Sequence, residues 1–349
     1  MDTVLVFNPQ DGRAMGELDC VVVRQWKLQR SQRPERAIIK VKAANYDGNM
    51  LQYRNIIVVL SDVVPTWVGY VSVSPANRKW KDGYIYITLF SAEYLLALRR
   101  LPYSGESIGT APNVFSEVIT AAEKTESLLF TNIDITGGTR RKYTLEYKRQ
   151  TCFDAINDIV NNTANYWWVE ARSRSNSEVN QASLLSLTAR ISRKRGSNYQ
   201  YPLVEGTNLV NIEASEVGAM ANSIFVQGSS VTGEDPVEVN VRDEVSINQY
   251  GLIEDIYTIR EATTTDDLRE IGEELLRQKS VPRLAVNADV ITEPYPQIGD
   301  LAKFELESSF YGGIQQTIIG FNGYLTIKSV AYSPEMKGVN IVADNIYWE

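Results

Sequence analysis

Between residues 3 and 90, short runs of β-branched and aromatic residues alternate with clusters of turn formers. The runs are TVLVF, DCVVVRQW, AIIKVKA, LQYRNIIVVL, TWVGYVSVS and GYIYITLF, and NPQDG, NYDG, SDVVP, SPAN and KDG separate them. Six strands at this spacing predict a small barrel or sandwich. In the last run Tyr84, Tyr86, Thr88 and Phe90 alternate with Ile85, Ile87 and Leu89, so both faces are bulky and both can be covered.

The rhythm breaks at SAEYLLALRRL, where Ser91 is a candidate N-cap and Tyr94, Leu95 and Leu98 fall at helical spacing. A first β-barrel domain is therefore expected over 1–98. Residues 99–205 mix the two periods and predict an α+β insert domain. Its elements are a helix from Pro112 to Lys124, strands near 128–135 and 142–147, and a helix opened by the capping pair Thr151 and Asp154 with Phe153, Ile156, Ile159 and Val160 as its apolar stripe. NYWWVEARS and LLSLTARIS then form a hairpin, in which consecutive Trp167 and Trp168 face opposite sides.

Strand patterning returns from NLVNIEASEV, through ANSIFVQG, VEVNVRD, LIEDIYTIRE, RLAVNADVI, DLAKFELE, IQQTIIGF, YLTIKSVAYS and GVNIVADN. One helix interrupts it, over 264–279. Thr264 and Asp267 cap it, Leu268, Ile271, Leu275 and Leu276 share a face, Arg277 and Lys279 complement its C-terminus, and Pro282 stops it. The fold class expected is mainly β, with two similar β-barrel domains, 1–98 and 206–349, flanking the insert.

Composition narrows the chemistry. The chain has 349 residues, more than one domain of about 150 residues needs. It contains no histidine, which removes Ser-His-Asp and Cys-His catalysis and histidine zinc sites. Cys20 and Cys152 are too few for a thiolate cage, so only an all-oxygen metal site remains. Two cysteines make no disulfide framework and MDTVLVFNP has no signal-peptide pattern, so a cytoplasmic site of synthesis is expected. No run reaches the roughly 18 to 20 apolar residues of a membrane span. The net charge of −8 argues against tight phosphate-backbone binding.

Individual motifs add no catalytic, cofactor-binding or metal-binding residue. GESIG at 105–109 fits the nucleophile-elbow pattern around Ser107, but the base it requires is missing, and a turn is expected. No phosphate-cradling glycine motif and no calcium loop is present. Asp266 with Asp267 and Glu273 with Glu274 are adjacent acids that point apart on a helix. The basic clusters Arg140, Arg141, Lys142 and Arg190, Arg193, Lys194, Arg195 are expected in solvated loops or paired with a neighbouring acidic subunit.

The order of segments carries a resemblance. TCFDAINDIVNNTANYWWVEA at 151–171, NLVNIEASEVGAMANSIFVQG at 208–228 and SINQYGLIEDIYTIREATTTDDLREIGEELLRQKSVPRLAVNADVI at 246–291 follow one another, with IGD at 298–300 and YLTIKSVAYS after them. In that order they resemble the hub proteins of phage tails, baseplates and related contractile injection machines. Over 1–150 only a β-barrel of suitable length supports the likeness.

The resemblance implies a non-enzymatic homotrimer in the virion tail, at the baseplate or tail tip, needing no cofactor. Its two tube-type barrels per chain would form a six-unit ring joining a sixfold tail tube or distal tail protein to a threefold tip spike or fibre. DNA or a tape-measure protein would pass through the channel without sequence-specific binding, past an acidic wall. Because the sequence stops at ADNIYWE, spike, fibre or lytic activity is expected on another polypeptide, and a secretion-system spike with its C-terminal needle is disfavoured. The alternative is a carbohydrate-active or carbohydrate-binding β-protein acting on cell-surface polysaccharide, using two carboxylates or some of the 19 tyrosines and 6 tryptophans.

Overall fold

A computed structural model describes residues 2–27, 35–72, 78–124, 126–136, 142–163, 165–175, 178–217, 220–228, 237–259, 264–281, 283–307 and 321–344. The chain is mainly β and divides into two compact units. The first comprises Met1–Tyr199, Asp289–Asp300 and Ile327–Ile341, and the second Gln200–Ala288, Leu301–Thr326 and Val342–Glu349.

In the first unit the strands are β1 (Thr3–Phe7), β2 (Ala14–Glu17), β3 (Val21–Lys27), β4 (Arg36–Lys42), β5 (Ile56–Leu60), β6 (Trp67–Val71), β7 (Arg78–Lys81) and β8 (Tyr84–Ser91). They pair antiparallel in the order β3-β4-β8-β6-β5-β1-β2, with β7 also on β8. Among the described residues no strand order closes into a barrel. Ile85, Ile87 and Leu89 of β8 enter the core, whereas Tyr84, Tyr86, Thr88 and Phe90 stay half-exposed, so only one of the two bulky faces is covered.

Gly69 marks the tightest packing in this sheet. A Cβ there would lie 2.1 Å from the Trp67 ring and 2.3 Å from the Phe90 carbonyl oxygen, so only glycine fits.

The rest of the first unit holds β9 (Gly105–Thr110), α1 (Ala111–Glu123), β10 (Phe130–Thr136), β11 (Lys142–Tyr147), α2 (Cys152–Asn162), β12 (Tyr166–Ser173) and β13 (Leu185–Ser192). β9 and β11 form an antiparallel pair; β13 lies between parallel β10 and antiparallel β12. The hairpin expected from NYWWVEARS and LLSLTARIS is present, with Tyr166 opposite Ser192 and Ser173 opposite Leu185. α2 starts at the expected cap, where Thr151 accepts from the Asp154 N–H at 3.0 Å. Leu5, Phe7, Val58, Val114, Phe115, Phe153, Ile156 and Trp167 belong to one continuous core on either side of residue 98.

Three elements differ from the expectation. Residues 92–98 form a 3-10 helix, not an α-helix, and Ser91 is a buried strand residue that makes no capping bond. GESIG is strand β9, not a turn, because β11 supplies a distant partner, pairing Ser107 with Leu145. Short Ala14–Glu17 pairs along β1, although its alternating pattern is too brief to read.

The second unit contains β14 (Leu203–Val204), β15 (Leu209–Val217), β16 (Ser223–Gln227), β17 (Glu238–Arg242), α3 (Glu244–Tyr250), β18 (Glu254–Thr258), α4 (Thr265–Lys279), β19 (Arg283–Val290), β20 (Leu301–Leu306), β21 (Phe321–Tyr332) and β22 (Val339–Asp344), the last residues of β19, β21 and the first of β22 falling in the first unit. β16 sits between antiparallel β17 and parallel β18. α4 packs Leu268 onto Ile224, Val226, Val239 and Val241, with Ile271, Leu275 and Leu276 beside it, and Thr264 caps it as expected. Gly272 permits that approach, since a Cβ there would lie 2.8 Å from Val241. Pro282 and most of IQQTIIGF lie outside the described residues.

Candidate functional site

β12 puts its two tryptophans on opposite faces. Trp167 enters the core of the first unit, where its Nε1–H donates to Asn157 Oδ1 at 3.2 Å. Trp168 lines a cleft of ≈ 830 Å³ in the same unit. Trp26, Trp67 and Tyr295 contribute further aromatic wall, and Glu35, Asp62, Glu93, Glu170 and Glu178 outnumber Arg172 and Arg195 around it.

The polar groups of the cleft form a braced network. Arg195 stands over the Trp168 ring, 5.1 Å from its centroid, and Trp168 Nε1–H donates to Glu170 Oε1 at 3.0 Å. Glu170 Oε2 lies 3.1 Å from Arg172 and 2.9 Å from Arg190, whose other end reaches Asp134 at 2.6 Å. Glu93 Oε1 accepts the Val169 N–H at 2.9 Å, tying the turn after β8 to β12.

Burial raises the Glu170 carboxyl, but the Trp168 hydrogen bond and the cations of Arg190 and Arg172 together hold it below the usual carboxylate range. Burial lowers the Arg195 guanidinium from its ordinary value, and Glu35, Glu93 and Glu170 pull it back. A carboxyl serving as general acid at neutral pH needs the opposite shift. The arrangement around Glu170 thus holds a fixed negative charge and stiffens the wall. Trp67 Nε1, buried at the cleft, has no hydrogen-bond partner among the described residues.

Of the residues singled out from the sequence, Trp168 and Arg195 meet at the cleft and the others do not. Arg195 belongs to the cleft, and Arg190 is ion-paired to Asp134 and Glu170 of its own chain. Ser107 is a mid-strand residue of β9. Asp267 accepts the Thr264 hydroxyl at 2.7 Å, and Glu274 meets Arg277 at 3.0 Å, so these acids serve α4. Arg140 and Arg141 lie outside the described residues. No group of three or more metal-ligating side chains occurs among the described residues. The cleft itself was hidden because its walls come from positions 3 to 330, which only the fold brings together.

Cys20 is pushed up to about 12, by burial first and by Asp19 and Asp2 after it, and Cys152 to about 11, burial outweighing Arg99. Thiolate is the reactive form. The native chain is therefore expected to resist iodoacetamide at pH 8 and to take up two labels, counted by intact mass, only after urea denaturation. Rapid labelling of both cysteines in the native chain contradicts this placement.

No protein-family profile matches the chain, and no curated protein does. Solved structures do. A prophage tail protein from Listeria monocytogenes superposes with TM-score 0.62 at 12% identity, over 99% of this chain and 95% of that one. The 43 kDa tail protein of prophage MuSo2 from Shewanella oneidensis gives TM-score 0.62 at 12% identity, over 98% and 97%. A tail protein from Neisseria meningitidis gives 0.60 at 10%, over 98% and 95%. In its fold, the chain stands with the phage tail proteins.

Proposed function

We propose that this chain is a non-enzymatic structural component of a phage tail or tail-like particle, the hub at its baseplate or tip. The observation that carries this reading is the likeness to three tail proteins over nearly the full length of each. In this reading 1–98 and 206–349 act as two tube-type β-modules around the 99–205 insert. Three chains make a ring that joins a sixfold tube to a threefold spike or fibre and leaves a channel for DNA or a tape-measure protein. The excess of acids is consistent with a channel wall that repels DNA.

Native mass spectrometry of the purified full chain, alone and with the adjoining tail protein, tests the assembly. Three times the 39.3 kDa of one chain is expected. A monomer under both conditions counts against the hub.

One observation favours the carbohydrate alternative, namely the cleft that sets Trp168 and Tyr295 beside carboxylates. Against catalysis there, Glu170 is held ionised by Arg190, Arg172 and Trp168. Turnover of purified surface polysaccharide that a single Asp or Glu substitution abolishes would establish it.

A further inference from the structure

The outward face of β3, β4, β8 and β7 is ordered by register. Lys79 lies opposite Tyr86, which lies opposite Lys40; in the next row Lys81, Tyr84 and Lys42 stand in the same sequence. Directly opposed residues share a face and successive rows are about 7 Å apart. Arg36 continues this face on β4, 5.3 Å from the Phe90 ring centroid, and Lys40 sits 4.4 Å from the Tyr84 centroid.

Beside the cations lies an apolar strip. Val23 pairs with Ile38 and Val21 with Lys40, and these three aliphatics are 44%, 43% and 41% exposed in the order Val23, Ile38, Val21. Trp80, 66% exposed on the edge strand β7, pairs with Ile85 and so belongs to the other face of that strand, outside this strip. Arg36, Lys40, Lys42, Lys79 and Lys81 have no carboxylate partner among the described residues.

Five unpaired cations on one face of a chain with net charge −8 leave the remaining surface more acidic still. We infer that this face docks an acidic surface of a second copy of the chain. The apolar strip and aromatics give it the composition of a protein interface, which a phosphate backbone would not require. Like charges exclude packing of the face against itself about a twofold axis. The contact is therefore head-to-tail, and such a contact generates a ring where the rotation between copies closes, as the proposed hub requires.

This inference rests on the proposed ring, and the test separates the two. The full chain and its Lys40→Glu/Lys79→Glu variant are compared by native mass and sedimentation over rising salt, with circular dichroism confirming that both fold. Wild-type assembly should weaken as salt screens the contact, and the variant's dissociation constant should rise about a hundredfold. The single Lys79→Glu variant, exposed on the edge strand, should lie between them.

A variant that assembles as tightly as wild type overturns the inference and leaves the ring standing. A wild-type chain that stays monomeric overturns the second copy as occupant, and whether tails still contain the chain then decides the proposed function. Salt-sensitive binding of a fluorescent DNA oligonucleotide that the variant loses, with assembly unchanged, assigns the face to nucleic acid and overturns the inference as well.

Discussion

Arg24→Ala should lower the unfolding free energy of the first unit by about 3–5 kcal/mol, because it removes one partner of a buried ion pair. The Arg24 side chain is 0% exposed and its Nη2 lies 2.9 Å from Asp2, itself 8% exposed. The rings of Trp26 and Tyr332 flank the guanidinium at 5.3 and 4.8 Å. Burial lowers its basicity, while Asp2 and Tyr332 counter that. Two of its nitrogens, Nε and Nη1, have no partner among the described residues, so the charge is incompletely compensated.

That incompleteness gives the prediction a second arm. Asp2→Asn combined with Arg24→Met leaves no buried charge, and the double variant should recover most of the loss. Urea unfolding of the two singles and the double measures it. Equal loss in the double and in Arg24→Ala would mean that packing of the stem between the rings, not the charge, is what matters there.

Trp167→Ala should cost a similar amount, about 3–5 kcal/mol. The indole is the hinge of a ring series in which Tyr70 contacts Phe90, Phe90 contacts Tyr94, Tyr94 contacts Phe153, and both Phe153 and Phe115 contact Trp167, at centroid distances of 6.3, 5.4, 5.2, 5.8 and 6.2 Å. Truncation opens a cavity among these rings and strands Asn157, whose Oδ1 accepts the indole proton and whose Nδ2 already lacks a partner among the described residues. Trp167→Phe keeps most of the volume and should lose less. Trp168→Ala, on the cleft side, should lose least. Thermal unfolding of the three variants orders them, and a Trp168→Ala loss as large as that of Trp167→Ala would reverse the assignment of the two faces.

Much of this was legible along the chain, for identifiable reasons. α2 and α4 could be read because cap, stripe and terminal charges agree within one segment, as Thr151 with Asp154 and Thr264 with Asp267 show. The Trp167–Trp168 pair could be read because strand alternation is local. α3 is too short to show an apolar stripe: Asp243 caps this seven-residue helix by accepting from Val245 and Ser246 at 3.1 Å, and Gly251 ends it at φ 81°.

Elements defined by distant partners were the least legible. GESIG resembles a turn until β11 is placed beside it, and the cleft has no sequence signature because its walls come from short segments scattered between Thr3 and Val330. The face of Lys79, Tyr86 and Lys40 is a similar case. Each strand shows alternation by itself, but the rows exist only once register joins three strands.

The central claim, that the chain is a tail component at the tip, is most directly tested by where it sits in an assembled particle. Electron microscopy of particles carrying a labelled copy of the chain should show the label at the distal end of the tail, on the tail axis. Label at the head, or intact particles that contain none of the chain, would contradict it.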